Sequence, residues 1–205
     1  MRFGLYGIQR GSVNPEVLAA RARHAEDAGM ESLWVGDHVA LPREMGGDSH
    51  PRLDAVVALS YLAAVTTRVR LGFGVLVLPQ RHPVLTAKQV TSIDVLTGGR
   101  LIVGVAGGYV EPELRALGVP MSERGARTDE YLDAMRELWT SPAPSFTGRF
   151  VAFDGVFQTP PPVQRPHPPI VVGGHSDAAM RRAVRRANGW YGVYVDIDET
   201  VALLE

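Results

Sequence analysis

At 205 residues, 45% hydrophobic and with a net charge of −1, the chain has enough material to bury a substantial core. It offers neither a basic face for nucleic acid nor a polybasic patch for a membrane. It has no cysteine, which excludes disulfides, a thiolate nucleophile and thiolate-ligated metal. The strand-like run starting at residue 2 leaves no room for a signal peptide, so one cytoplasmic domain over 1–205, or an incomplete copy of a larger one, is expected.

The run "RFGLYGI" (2–8) has the length of a strand. Asn14 followed by Pro15 then signals a helix start: a capping oxygen, and next to it a residue of fixed φ with no N–H to leave unpaired. The helix over 14–29 sets Leu18, Ala22 and Ala25 on one face and reaches Gly29, which suits its C-terminal turn. A strand over 32–38, a helix across 52–67, a strand over 69–79, a helix across 83–99 and a strand over 100–108 follow. These strands are apolar without polar alternation, as in a parallel sheet covered on both faces.

After Gly108 a longer helical region ends in "RTDEYLDAMRELWT", where Tyr131, Met135 and Leu138 recur at helical spacing and point to the core. The segment 146–157 alternates and turns like a hairpin, and "PPPVQRPHPP" is an extended lead into the next strand. Strand 169–173, a helix through Ala187 and strand 189–195 make a sixth βα step, and a last helix begins near Asp198. The first strand-to-helix turn, "YGIQRGSVNPE", lacks a G-x-G-x-x-G fingerprint, which favours a (β/α)8 barrel over a dinucleotide-binding sheet. Six strands do not close such a barrel. The last two βα units are lost, or are supplied from elsewhere.

Chemistry in either architecture gathers at the C-terminal ends of the strands. Asp37-His38 reads as an acid/base and orienting pair, as the start of a solvated loop, or as part of a metal site. The metal reading is disfavoured, because His50, His82, His167 and His175 show no H-x-H or H-E-x-x-H spacing. Gly72 and Gly74 inside an apolar strand mark a bulge, a close approach or simple core packing. In "GVAGGYVEPE", Tyr109 and Glu111 or Glu113 are available to hydrogen-bond a substrate, or the stretch is a plain loop. "IVVGGHSDAAMRRAV" (170–184) is a strand, a glycine turn and a helix start. It is either a plain connection or an anion site in which bare backbone and Ser176 receive a phosphate.

Taken in order, "ESLWVGDHV", "RVRLGFGVLVLPQRHPVLTAKQVTSIDVLTGGRLIVGVAGGY", "RGARTDEYLDAMRELW" and "PPPVQRPHPPIVVGGHSDAAMRRAVRRANGWYGV" closely resemble the luciferase-like flavin oxidoreductases. Within that family they resemble the branch that uses the deazaflavin coenzyme F420. The resemblance covers nearly the whole chain and implies a TIM barrel, dimeric, with the ring held inside its C-terminal mouth. It implies that Asp37 contacts the ring region and that His38 is the catalytic proton donor or acceptor. Gly74 and Val75 would form a non-proline cis peptide behind the ring, and Gly107 and Gly108 would line the cofactor. Gly173, Gly174 and Ser176 would cradle its phosphate, and no metal is implied.

The implied reaction is hydride transfer between F420 and a small organic substrate, to which the protein contributes orientation, exclusion of water and a proton. An FMN-dependent monooxygenase of the same family and a shortened, non-catalytic flavin-binding protein are the alternatives. Tyr109 stands where the glucose-6-phosphate dehydrogenases of the family carry a catalytic glutamate, so that substrate is not expected. Relatives also continue for two further βα units.

Overall fold

The computed structural model describes residues 2–47 and 51–204; His50 lies outside them. The strands are β1 (Gly4–Tyr6), β2 (Ser32–Val35), β3 (Arg70–Phe73), β4 (Leu76–Val77), β5 (Leu101–Ala106), β6 (Ser145–Thr147), β7 (Ala152–Asp154), β8 (Ile170–Gly173) and β9 (Gly189–Tyr191). The helices are α1 (Pro15–Asp27), α2 (Ala55–Val65), α3 (Pro83–Leu96), α4 (Glu111–Ala116), α5 (Arg124–Thr140), α6 (Asp177–Arg186) and α7 (Ile197–Leu204). No helix among the described residues is long and apolar enough to cross a membrane.

Local chemistry accounts for the first helix as expected. The Asn14 side-chain oxygen accepts from the N–H groups of Glu16 (2.9 Å) and Val17 (3.3 Å). Gly29, at φ +81°, follows the C-cap and returns its N–H to the Glu26 carbonyl. Leu18, Ala22 and Ala25 are buried, as are Tyr131, Met135 and Leu138 on α5.

The sheet is parallel throughout and ordered β1-β2-β3-β5-β8-β9, with β4 also paired to β5. Strands and helices alternate, and their apolar faces share one large core in which Leu33, Leu71, Leu101 and Ile170 have no exposed surface. The sheet curls. Rings from its two edge strands, Tyr6 on β1 and Tyr191 on β9, approach to 6.4 Å between centroids, and Trp34 on β2 lies 5.1 Å from Tyr191. These aromatics fill the concave side and need room. A Cβ on Gly72 would sit 2.4 Å from the Trp34 ring, so the glycine there serves close packing.

The architecture is therefore an α/β barrel of the TIM type with six of its βα steps present and β1 and β9 as open edges. The hairpin lies outside the barrel as an antiparallel pair, β6 with β7. The strands are shorter than the apolar runs that announce them. The run over 69–79 divides into β3 and β4 with a cis Gly74–Val75 peptide between them, and ends in a 3-10 turn, Leu78–Gln80. The run over 32–38 leaves the ladder after Val35. In each case the last residues have left the sheet to build the rim.

Candidate active site

A cavity of about 600 Å³ opens at the C-terminal ends of the strands. His38, Asp37, Gly74, Val75, Gly107, Gly108, Gly173, Gly174 and Ser176 all line it, so the structure brings the nine positions singled out in the sequence to one place. They arrive from the ends of β2, β3, β5 and β8.

One end of the cavity is suited to an anion. β8 stops at Gly173 and Ser176 caps α6, its hydroxyl oxygen accepting from the Ala179 N–H at 3.3 Å. The hydroxyl proton remains available, and the first-turn N–H groups of Asp177 and Ala178 have no partner within the helix. Gly174 is at φ +112°, where a side chain is strained, and a Cβ on Gly173 would lie 2.8 Å from Val75 Cγ1. The Trp190 indole N–H donates to the Gly174 carbonyl at 2.8 Å and steadies the turn.

A second helix start faces the same space. Ser122, Arg124 and Gly125 line the cavity at the head of α5, and Arg124 donates to the Met121 carbonyl at 2.9 Å. No carboxylate among the described residues pairs with Arg124. These three residues are absent from the reading of the sequence. The one clue to them is a basic side chain in a first helical turn, where the helix dipole disfavours it.

At the other end, His38 Nδ1 is 3.1 Å from Glu113 Oε2. Glu113 is 2% exposed, and its Oε1 accepts from the N–H groups of Val39 and Ala40. Burial pushes the Glu113 carboxyl upward, but the His38 and amide hydrogen bonds outweigh it and hold the group below its ordinary value. An ionised carboxylate only accepts, so the proton sits on His38 Nδ1 and Nε2 is the free nitrogen. The Tyr109 ring meets the imidazole edge-on, 5.9 Å between centroids.

Of the two glutamates read as available to a substrate, Glu113 is thus committed to His38 and its loop. Glu111 is exposed and does not line the cavity. Tyr109 alone of the three borders it.

Asp37 also lines the cavity, with its carboxylate buried in the wall. Its side chain has no exposed surface: Arg81 meets it at 2.7 Å and the Val77 N–H at 3.0 Å. Arg81 also holds Asp54, the N-cap of α2, at 2.7 Å. Burial pushes the Asp37 carboxyl upward against the pull of Arg81. Asp37 therefore braces the wall, and only its backbone reaches the cavity.

Gly74 and Gly108 make the wall thin. A Cβ on Gly74 would lie 2.7 Å from the Tyr191 hydroxyl, and one on Gly108 2.7 Å from Val77 Cγ1. Among the described residues no group of three His, Asp or Glu is placed to hold a metal. His167 pairs with the Pro168 carbonyl and His175 accepts from the Val193 N–H.

Residues 3–205 match the family model described as luciferase-like monooxygenase. An uncharacterized protein of Mycobacterium tuberculosis is 38% identical over 196 residues, covering 89% of this chain and 67% of the relative. The FMNH(2)-dependent dimethylsulfone monooxygenase of Pseudomonas putida is 34% identical over 186 residues, 89% of this chain and 50% of that protein. Among solved structures, an F420-dependent secondary alcohol dehydrogenase in complex with an F420-acetone adduct superposes with a TM-score of 0.82 at 21% identity, over 99% of this chain and 63% of that one. This chain spans half to two thirds of the length of these relatives. With its parallel barrel sheet, its cavity at the strand ends and a family match over nearly its whole length, the chain belongs to the luciferase-like monooxygenase family.

Proposed function

We propose that the protein is an F420-dependent oxidoreductase that transfers a hydride between the deazaflavin and a small organic substrate, acting in the cytoplasm as a homodimer of one-domain chains. The observation that carries this reading is the pairing, in one cavity, of an anion cradle with a histidine locked by a buried carboxylate. The cradle suits the phosphate of the cofactor tail: a Cβ at Gly173 or Gly174 would crowd it, and Arg124 brings a positive charge with no carboxylate partner. A cavity of about 600 Å³ lies within the range of small-molecule sites.

When bound, the deazaflavin supplies a hydride donor or acceptor. Gly173, Gly174, Ser176 and Arg124 would hold its phosphate, and Gly74 and Val75 would lie against the ring. His38 Nε2 exchanges the proton of the substrate oxygen while its Nδ1–H stays on Glu113.

A second reading, an FMN-dependent monooxygenase, is favoured by the 34% identity to the dimethylsulfone enzyme. Anaerobic incubation with reduced F420 and a panel of ketones and aldehydes, following deazaflavin absorbance, separates the two. The expected result is oxidation of F420 by at least one carbonyl, reduced about 100-fold in His38→Asn with cofactor affinity unchanged. Oxygen-dependent turnover with reduced FMN alone would select the second reading.

A further inference from the structure

The charged side chains that line the cavity are neutralised in pairs with two exceptions. Asp37 is held by Arg81, His38 by Glu113, and Arg182 by Asp129 at 2.7 Å. Arg124 is left for the phosphate cradle. The other cation is Arg10, which lines the cavity and has no carboxylate partner among the described residues.

Arg10 is nonetheless held in place. Its guanidinium carbon lies 4.9 Å from the Tyr6 ring centroid and Nη2 donates to the Tyr6 hydroxyl at 3.1 Å. Its backbone is fixed by a hydrogen bond from its N–H to the Gly7 carbonyl (2.9 Å) and another from Arg21 to its own carbonyl (2.9 Å). Gly7 makes room: a Cβ there would stand 3.0 Å from Arg10 Cδ. A guanidinium has five N–H donors in a planar fork; the Tyr6 and Tyr194 hydroxyls engage part of it and leave donors for a ligand.

Arg10 follows β1, whose neighbour β2 leads to His38, while Ser176 of the cradle follows β8; both line the one cavity. Around it stand the rings of Tyr6, Tyr109, Tyr191 and Tyr194, which offer apolar faces with hydroxyls at their rims.

We propose that Arg10 is a second anion subsite and that the substrate is a small planar organic acid, its carboxylate on Arg10 and its reacting carbon presented to His38. One guanidinium fork matches a monoanionic carboxylate, and the tyrosine rings match a flat, unsaturated or aromatic body. The reaction assigned to this acid rests on the function proposed above; the anion subsite does not.

Benzoate and benzamide, which share shape and differ in charge, are the probes. Each is titrated by calorimetry into cofactor-free and F420-loaded protein, as wild type, Arg10→Ala and Arg10→Lys. Melting curves establish that each variant is folded. The expected result is benzoate binding at least about tenfold tighter than benzamide, a preference lost in Arg10→Ala and partly kept in Arg10→Lys, with F420 affinity changed less than about twofold. Equal affinities in wild type, no benzoate binding in either form, or a preference that survives Arg10→Ala would overturn it. So would loss of F420 affinity in Arg10→Ala, which would give Arg10 to the cofactor. If F420 fails to bind at all, the proposed function fails while the benzoate comparison in cofactor-free protein still reads the subsite.

Discussion

Glu113 is almost fully buried and still ionised, because His38 and two amides replace the water it has lost. Glu113→Gln keeps the shape and loses the charge. One amide oxygen must then serve both the imidazole and the loop, so His38 is less well fixed. The expected outcome is a kcat about tenfold lower with the substrate KM nearly unchanged, read from steady-state kinetics. The pH dependence has a definite sign. Since the folded-state pKa is below the ordinary 4.5, the stability that Glu113 contributes is present above that value and lost as the pH falls through the depressed one. The difference in melting temperature between wild type and Glu113→Gln therefore narrows on acidification below about pH 4.5; a constant difference would count against an ionised Glu113. Composition and spacing gave access to the partners of His38 only in part. Glu113 was visible as a polar residue after a strand, but its turn towards a loop 75 residues earlier in sequence is set by tertiary packing.

At the scale of elements, Arg81 ties the end of β2, through Asp37, to the start of α2, through Asp54. Arg81→Met would leave the buried Asp37 carboxylate with one backbone donor, and a broken buried pair of this kind costs about 3–5 kcal/mol. Urea denaturation measures this directly; a loss below about 1 kcal/mol would mean that Asp37 finds water or another partner. The elements themselves are legible wherever the signal is local. Asn14 and Pro15 start α1, Gly29 ends it, and the glycine turn before Ser176 leads into α6. The rim is not legible in the same way, because residues such as Asp37 continue an apolar run yet leave the ladder and take partners from distant segments. The run over 69–79 illustrates this: its hydrophobicity is continuous, but the backbone breaks at Gly74–Val75 between two strands that both pair with β5.

Across the whole molecule, the parallel barrel sheet was predictable from repeated βα alternation, whereas the meeting of Tyr6, Trp34 and Tyr191 on its concave side was not, since it joins strands far apart in sequence. Burial there pushes the Tyr191 hydroxyl up to about 12, with Tyr6 adding to the shift. The fold thus favours the neutral phenol, and the stability present below the ordinary tyrosine value of 10.0 is lost as the pH rises through about 12. An absorbance titration should show a late phenol near pH 12 that is missing in Tyr191→Phe; a titration unchanged by that substitution above about pH 11 would contradict the packing. Sedimentation equilibrium should give a dimer; a monomeric wild type would contradict the proposed homodimer.

Whether the strand-end cavity holds a deazaflavin by its phosphate is decided by titrating the protein with F420 and FMN in parallel and following tryptophan fluorescence. Trp190 is bonded to the Gly174 carbonyl and so reports on the cradle itself. The expected result is saturable quenching by F420 in preference to FMN, with affinity reduced at least about tenfold in Gly174→Val, where a side chain would fall at φ +112°. Folded protein that binds neither cofactor, or binds F420 equally well after Gly174→Val, would contradict it.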